Sequence, residues 1–156
     1  MQKHIYLAGG FFNPKQNQLL DQIEAALQQN PTVGYWHSPR DHQYKNASID
    51  HDPEGIFGSY EWATETYNND LAAMQLADIG VIAWDNLQVD TGTAWEMGYL
   101  NAINKPLIMV CSDDVQTTGI NLMLVKSIKA YLQKPAAVAD FDFNLIPTQL
   151  YQGKII

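Results

Sequence analysis

The chain has 156 residues, of which 46% are hydrophobic and 11% aromatic, which fits one globular domain with a sizeable core and argues against a disordered chain. Nine Lys and Arg against seventeen Asp and Glu give a formal net charge of −8, the wrong sign for a surface that binds nucleic acid. Arg40 is the only arginine, so a bidentate clamp on a phosphate has at most one guanidinium per subunit, and we expect an uncharged ligand.

The cysteine content and the N-terminal residues favour a cytoplasmic protein. The lone Cys111, in the apolar run Pro106–Cys111, cannot form an intrachain disulfide and is expected in a buried strand. The first residues lack the apolar segment of a signal peptide, and no apolar stretch approaches the roughly 18 residues needed to span a membrane. We therefore expect one domain over residues 1–156 in the cytoplasm, with no membrane contact.

Apolar runs alternate with helical patterns along the chain. Asn13 followed by Pro14 predicts the start of a first helix, and Ser59 is expected to cap a second. Residues 38–58 show no lasting period, and a loop of that length is usually functional or disordered. The predicted strands are residues 4–8, 33–37, 78–84, 106–111 and 127–132, and the predicted helices are residues 13–30, 59–77 and a third from about Thr91 or Thr93 to Asn104.

This alternation determines the expected fold class. Strands separated by helices predict βαβ units, a parallel sheet and right-handed crossovers. We therefore predict an α/β, flavodoxin-like, doubly wound sandwich with about five mainly parallel strands. Its ligand crevice is expected beyond the carboxyl ends of the strands.

Glu96 is the first candidate for a reactive carboxylate. On the third helix it shares a stripe with Leu100 and Ile103, so its carboxylate faces an apolar interior near the helix N-terminus. An unpaired buried carboxylate is costly, which favours a functional role. The alternative, which spacing alone favours, is a capping box in which Glu96 bonds back to Thr93.

Asp70 and Asp90 are the next candidates. Asp70 closes a polar turn, Tyr67–Asp70, in a helix that otherwise packs apolar residues, and Asp90 ends the loop after the third strand. If Glu96 and Asp70 share one crevice, they supply the two carboxylates that cleave a bond at an anomeric carbon. Spacing does not show that they meet, and a solvated or capping role is the alternative for both aspartates.

No cofactor or metal is expected. Residues 8–13 do not match the dinucleotide fingerprint, and the P-loop pattern is absent, so neither NAD nor ATP is indicated. Phe11 and Phe12 have the chemistry to stack on a nucleobase, with a place in the core or an interface as the alternative. The four histidines, at positions 4, 37, 42 and 51, lack the spacing of zinc ligands.

Seven short segments stand in order along nearly the whole chain, and their joint order is more specific than any one of them. They are Ile5–Gly9, Asp41–Lys45, Trp62–Leu71, Asp90–Gly92, Glu96–Tyr99, Asn121–Met123 and Asp140–Asn144. Taken together, these segments resemble the nucleoside 2-deoxyribosyltransferases. Within that resemblance, Gln43 favours the broad-specificity type II class that accepts purines and pyrimidines.

The resemblance implies a covalent mechanism. The glutamate matching Glu96 would attack C1′ of a 2′-deoxynucleoside to form a deoxyribosyl ester, which a second base then attacks, so that two inversions give net retention. Asp70 would exchange protons with the leaving and entering bases, and Tyr6 would position the nucleophile. Asp90 would bind the deoxyribose hydroxyls.

The resemblance also implies where the remaining contacts come from. Gln43 and Phe12 would contact the base, and Gly9, in the first matching piece, is expected to belong to the substrate site. Asn121 and Met123 would reach into the site of a neighbouring subunit, so the active form would be an oligomer, typically a hexamer. Family chains usually end in an aromatic residue, whereas this one ends in Lys154-Ile-Ile.

The expected activity is transfer of the 2-deoxyribosyl group between purine or pyrimidine bases in nucleoside salvage. The nearest alternative is an N-glycosidase of deoxynucleosides or deoxynucleotides in which water resolves the ester on the same glutamate. A nucleotide hydrolase would want basic residues around a 5′-phosphate, and the scarcity of arginine disfavours it. A non-catalytic flavodoxin-like module is the other alternative, although Asp113 and Asp114 do not complete the acidic set of a receiver domain.

Overall fold

The computed structural model describes all 156 residues and contains one five-stranded sheet. Every pair of neighbouring strands is parallel, in the order β2-β1-β3-β4-β5. This is the flavodoxin-like order, so the predicted doubly wound α/β fold is confirmed. The strands are β1 (Lys3–Gly9), β2 (Val33–His37), β3 (Ile79–Ala83), β4 (Leu107–Val110) and β5 (Ala130–Leu132).

Helices cover both faces of the sheet. On one face α1 packs with the C-terminal residues 135–143, and on the other α2, α3 and α5 pack against β1, β3 and β4. No helix is both long and apolar enough to cross a lipid bilayer. The helices are α1 (Pro14–Gln29), α2 (Tyr60–Leu76), α3 (Thr91–Ala102), α4 (Val115–Thr118) and α5 (Leu122–Ser127), with 3-10 turns at Pro39–Asp41, Tyr44–Asn46 and Pro135–Val138.

Side chains of β1 alternate between the two layers. Ile5 and Leu7 join the core beneath α1, whereas Tyr6 and Ala8 join the core beneath α2 and α3. The chain winds away from β1 in both directions, toward β2 and toward β3, and the crevice of such a sheet lies where the winding reverses. The fold therefore buries Tyr6 beside that crevice.

The first two helices begin where the sequence predicts. The Asn13 side chain accepts a hydrogen bond from the backbone of Gln16, and the Ser59 hydroxyl accepts one from the backbone of Trp62. The long segment 38–58 is folded into two 3-10 turns and an antiparallel bridge between Ser48 and His51. Neither those turns nor α4 and α5 were predicted, because elements of three to six residues are too short to show a period.

The end of β1 has no room for a side chain. A β-carbon at Gly9 would lie 2.8 Å from the β-carbon of Ala83 and 2.9 Å from Leu20.

The single cysteine, Cys111, follows β4 directly and is fully buried. This burial raises the pKa of its thiol to about 11.

Candidate active site

Tyr6 and Glu96 form the centre of the site. The Tyr6 hydroxyl donates a 2.6 Å hydrogen bond to Oε1 of Glu96 across the contact between β1 and α3. Tyr6 is fully buried and Glu96 is partly buried. No other hydrogen bond reaches the Glu96 carboxylate, so its Oε2 atom is free to meet a ligand.

Burial and neighbouring charge control the protonation of this pair. Burial raises the pKa of Glu96 to about 8, the nearby carboxylates of Asp70 and Asp90 add to the rise, and the Tyr6 hydrogen bond opposes it. Burial, together with the charges of Glu96 and Asp70, raises the pKa of Tyr6 far above its usual range. Tyr6 therefore stays a neutral donor at every physiological pH.

Asp70 lies close enough for its charge to act on both members of that pair. Its Oδ1 atom is 2.9 Å from Nε2 of His37, the last residue of β2. The ring of His37 stacks on the ring of Tyr6, with centroids 5.6 Å apart. Asp70 is therefore linked to the Tyr6–Glu96 pair through His37, and its side chain forms no direct hydrogen bond with either residue.

Asp90 caps α3. Its Oδ2 atom accepts hydrogen bonds from the backbone and the hydroxyl of Thr93, at 2.6 and 2.7 Å. Glu96 makes no hydrogen bond to Thr93, so the capping-box alternative for Glu96 is wrong. Asp90 is the N-cap of α3, and the Glu96 carboxylate accepts its hydrogen bond from Tyr6. The Oδ1 atom of Asp90 has no hydrogen-bond partner within the chain.

The loop that leads to Asp90 is fixed by Lys15 from the first turn of α1. The Lys15 ammonium lies 2.7 Å from Asp85 and 2.6 Å from Asp113, two buried carboxylates at the carboxyl ends of β3 and β4. Asp85 also accepts hydrogen bonds from the backbones of Leu87 and Gln88. These bonds hold the β3–α3 loop over the crevice.

Phe12 and Gln43 lie elsewhere, at the wall of a cavity of about 520 Å³ between α1 and segment 38–58. Phe12 is 73% exposed and stacks on Phe11, with centroids 4.8 Å apart. The Gln43 amide donates to the Pro39 carbonyl at 2.7 Å. Tyr6, Asp70, Asp90 and Glu96 do not line this cavity.

Arg40 forms part of the same wall, and its charge is already paired. The guanidinium lies 2.8 Å from Asp21, 2.7 Å from Glu24 and 3.5 Å from Asp41. Three carboxylates therefore surround the only arginine, and an anionic ligand would have to displace them.

Asn121 and Met123 do not join the site of their own chain. The Asn121 side chain caps α5 by accepting from the backbone of Met123, whose side chain is 71% exposed. Neither residue forms a hydrogen bond with Tyr6, Asp70 or Glu96. No group of three or more His, Cys, Asp or Glu side chains is arranged to hold a metal ion.

His37 is the site residue that sequence reasoning missed. The sequence places it in a strand and excludes it only as a zinc ligand. Its partner Asp70 lies 33 residues away, and periodicity carries no information on a contact at that separation. The one available signal was the alternation of side chains along β2. It gives the face of the sheet on which His37 lies but not its partner.

We predict that Glu96→Gln stabilises the folded protein, and does so more at high pH. The folded state holds a proton on Glu96 up to about pH 8, whereas the unfolded chain releases it near the usual glutamate pKa. Stability is therefore lost as pH rises between those values, and a neutral amide avoids the loss. The gain in Tm over the natural chain should be roughly 5 °C larger at pH 9 than at pH 6 in thermal unfolding.

The matched control is Glu65→Gln, which neutralises an exposed carboxylate on α2. It should change Tm little at either pH. A gain for Glu96→Gln that is the same at pH 6 and pH 9 would contradict the raised pKa of Glu96.

Comparison with known proteins places this chain in a family. Residues 5–143 match the family model described as nucleoside 2-deoxyribosyltransferase. The chain is 42% identical to a nucleoside deoxyribosyltransferase of Limosilactobacillus fermentum over 144 residues, 90% of this chain and 86% of the relative. It is 33% identical to one of Lactobacillus leichmannii over 155 residues, 98% of each chain.

A solved structure agrees with the sequence matches. The fold is similar to that of a 2-deoxyribosyltransferase from Bacillus psychrosaccharolyticus, with a TM-score of 0.76 and 36% identity over 95% of this chain and 98% of that chain. The family match and the identities to curated relatives extend over most of the sequence. This chain therefore belongs to the nucleoside 2-deoxyribosyltransferases and is a pentosyltransferase of that family.

Proposed function

We propose that the protein exchanges the base of 2′-deoxynucleosides through a covalent ester on Glu96, in nucleoside salvage. In the first half, an oxygen of the ionised Glu96 carboxylate attacks C1′, the glycosidic C–N bond breaks, and its electron pair leaves with the base, which takes a proton from Asp70. In the second half, a nitrogen of the entering base attacks C1′, the ester C–O bond breaks, and Asp70 recovers a proton. Two inversions give net retention at C1′.

The hydrogen bond between Tyr6 and Glu96 is the observation that carries this proposal. It fixes Oε1 from a buried strand and leaves Oε2 as the attacking atom. The raised pKa of Glu96 indicates a carboxylate short of solvation, which makes its ionised form more reactive toward C1′. Tyr6 stabilises the ionised form of Glu96 by a hydrogen bond and stays protonated itself, so the ionised carboxylate keeps its negative charge.

Asp70 is suited to the proton transfers because it is the second carboxylate beside the same tyrosine. Its negative charge acts on both Tyr6 and Glu96, so its carboxylate lies near the same reaction centre. In the proposed reaction Glu96 is the nucleophile and Asp70 is the acid or base.

Substrate recognition is assigned to residues around this centre. Asp90, with an unpaired Oδ1, would hold the deoxyribose hydroxyls, and the backbone of Gly9 would border the sugar. Phe12 and Gln43, which share a cavity wall, would contact the base by stacking and by an amide. A rotatable amide and a flat aromatic face suit purines and pyrimidines alike, as expected for the type II class. Neither a metal ion nor an organic cofactor is required.

The site is completed by a second copy of the chain in this proposal. Asn121 and Met123 lie on the exposed side of α5, and the neighbouring Leu122 is 50% exposed. Apolar side chains exposed in a group are a common mark of a subunit contact. We propose that this surface closes the site of a neighbouring chain in a homo-oligomer, expected to be a hexamer.

The proposed function predicts acceptor-dependent release of base. The protein mixed with thymidine and adenine should form deoxyadenosine, measured by chromatography, and thymine release should be far slower without adenine. Glu96→Ala should lower transfer by roughly a thousandfold or more while the protein still folds, because the nucleophile is lost. Thymine released equally with and without adenine would identify a hydrolase, and appreciable transfer by Glu96→Ala would exclude Glu96 as the nucleophile.

Asp70→Asn is predicted to slow transfer in a way that depends on the leaving base. Deoxyuridine should lose about 100-fold or more in kcat, whereas 5-fluorodeoxyuridine should lose less, because fluorine stabilises the departing base and lessens its need for a proton. Initial rates with adenine as acceptor measure both. Equal losses for the two donors would exclude a proton-transfer role for Asp70.

Met123→Glu is predicted to weaken the assembly and transfer together. A charge in an apolar subunit contact leaves an unpaired carboxylate there, so light scattering should report a lower mass and the transfer rate should fall. Leu145→Glu is the control, because Leu145 is 80% exposed and its neighbour Ile146 packs against the core on the face of the sheet opposite α5. A Met123→Glu protein with natural mass and rate would contradict the shared site.

A further inference from the structure

His37 is the only hydrogen-bond partner of Asp70 in the chain. Its Nε2 atom lies 2.9 Å from Oδ1 of Asp70, and the two side chains are 7% and 15% exposed. A carboxylate so largely withdrawn from water depends on its few protein contacts for its orientation. Oδ2 of Asp70 has no hydrogen-bond partner in the chain. Its direction is therefore set by the bond that His37 makes to Oδ1.

The ring of His37 is itself fixed by two stacking neighbours. It is nearly parallel to the ring of Tyr6, at 15° and 5.6 Å, and to the ring of His42, at 25° and 4.3 Å. Its backbone lies in the parallel ladder directly opposite Tyr6. The geometry of His37 is therefore set by the same tyrosine that holds Glu96.

The outer end of this stack is fixed as well. Nδ1 of His42 lies 2.9 Å from the Ser38 carbonyl, which can only accept, so Nδ1 is the donor and Nε2 accepts from Tyr35 at 3.2 Å. The backbone carbonyl of His42 also accepts from Asn69, the residue before Asp70. The segment after β2 is thus attached to α2 at the point where Asp70 projects.

We infer that His37 is a positioning residue that orients Asp70 toward the leaving and entering bases. This inference rests on the proposed function, since it assumes that Asp70 exchanges the proton. Through Tyr6, one rigid unit then sets the places of both carboxylates, the nucleophile by a hydroxyl bond and the acid or base through an imidazole. A displacement of Asp70 by about 1 Å is enough to lower a rate about 100-fold.

His37→Leu should therefore reproduce the signature of Asp70→Asn. We expect kcat for deoxyuridine to fall about 100-fold, with a smaller loss for 5-fluorodeoxyuridine and a KM within about twofold of the natural value. His37→Gln should restore most of the kcat, because its amide nitrogen reaches the place of Nε2. In an Asp70→Asn background, His37→Leu should cost little more, since both changes remove the same function.

His4→Leu is the matched control, because it makes the same chemical change at a histidine whose side chain forms no hydrogen bond. His4 is exposed on β1, and only its backbone nitrogen donates, to Asp78. The kcat of His4→Leu for both donors should stay near the natural value. Tm measured for every variant separates loss of folding from loss of rate, and His37→Asn, whose amide is too short to reach Asp70, serves if His37→Leu does not fold.

Three results would overturn the inference: equal losses for the two donors, equal rates for His37→Gln and His37→Leu, or losses that add in full to those of Asp70→Asn. Each would mean that His37 supports the fold alone. If Asp70→Asn treats the donors alike, the proposed role of Asp70 fails and the inference fails with it. If Asp70→Asn distinguishes the donors and His37→Leu does not, only the inference fails.

Discussion

The structure holds a carboxylate at a buried point with no cation beside it. Glu96 has one hydrogen-bond partner, the hydroxyl of Tyr6, and its neighbours in charge are other carboxylates. Lys15 and Arg40, the basic residues that border the crevice and the cavity, are each paired with acidic side chains of their own. A cation at Glu96 would stabilise the ionised carboxylate and lower its pKa, whereas the Tyr6 phenol fixes the direction of the carboxylate and leaves the pKa raised.

The strand order explains how so many elements reach that phenol. Because β1 lies between β2 and β3, Tyr6 has His37 beside it from β2, with α2 and α3 packed above it. The connection from β2 to β3 runs through α2, which holds Asp70 and passes over β1. The next connection, from β3 to β4, runs through α3, which holds Glu96 on the same face of the sheet. The site is thus a consequence of the reversal in winding direction, the point at which such sheets hold ligands.

Hydrophobic periodicity and capping signals predicted the fold and the position of Glu96. The partners of the site residues could not be predicted, because they come from segments distant in the sequence. The inward stripe of α3 was sufficient to place Glu96 in the interior. The choice between a capping box with Thr93 and a reactive carboxylate could not be made, because it depends on Asp90 taking the cap and on a tyrosine from another strand. Asp70 was recognised as the end of a polar turn in a helix that otherwise packs apolar residues. Its partner His37 comes from a strand 33 residues earlier, and a single sequence contains no record of that contact.

The buried thiol of Cys111 has a practical consequence for handling the protein. Thiol reagents react with the thiolate, and a fully buried cysteine with a pKa near 11 presents almost none of it at neutral pH. A cysteine introduced on the surface would therefore be the only thiol to react in the folded chain. The protein could be attached to a support or a fluorophore at one chosen point per subunit without first replacing its natural cysteine.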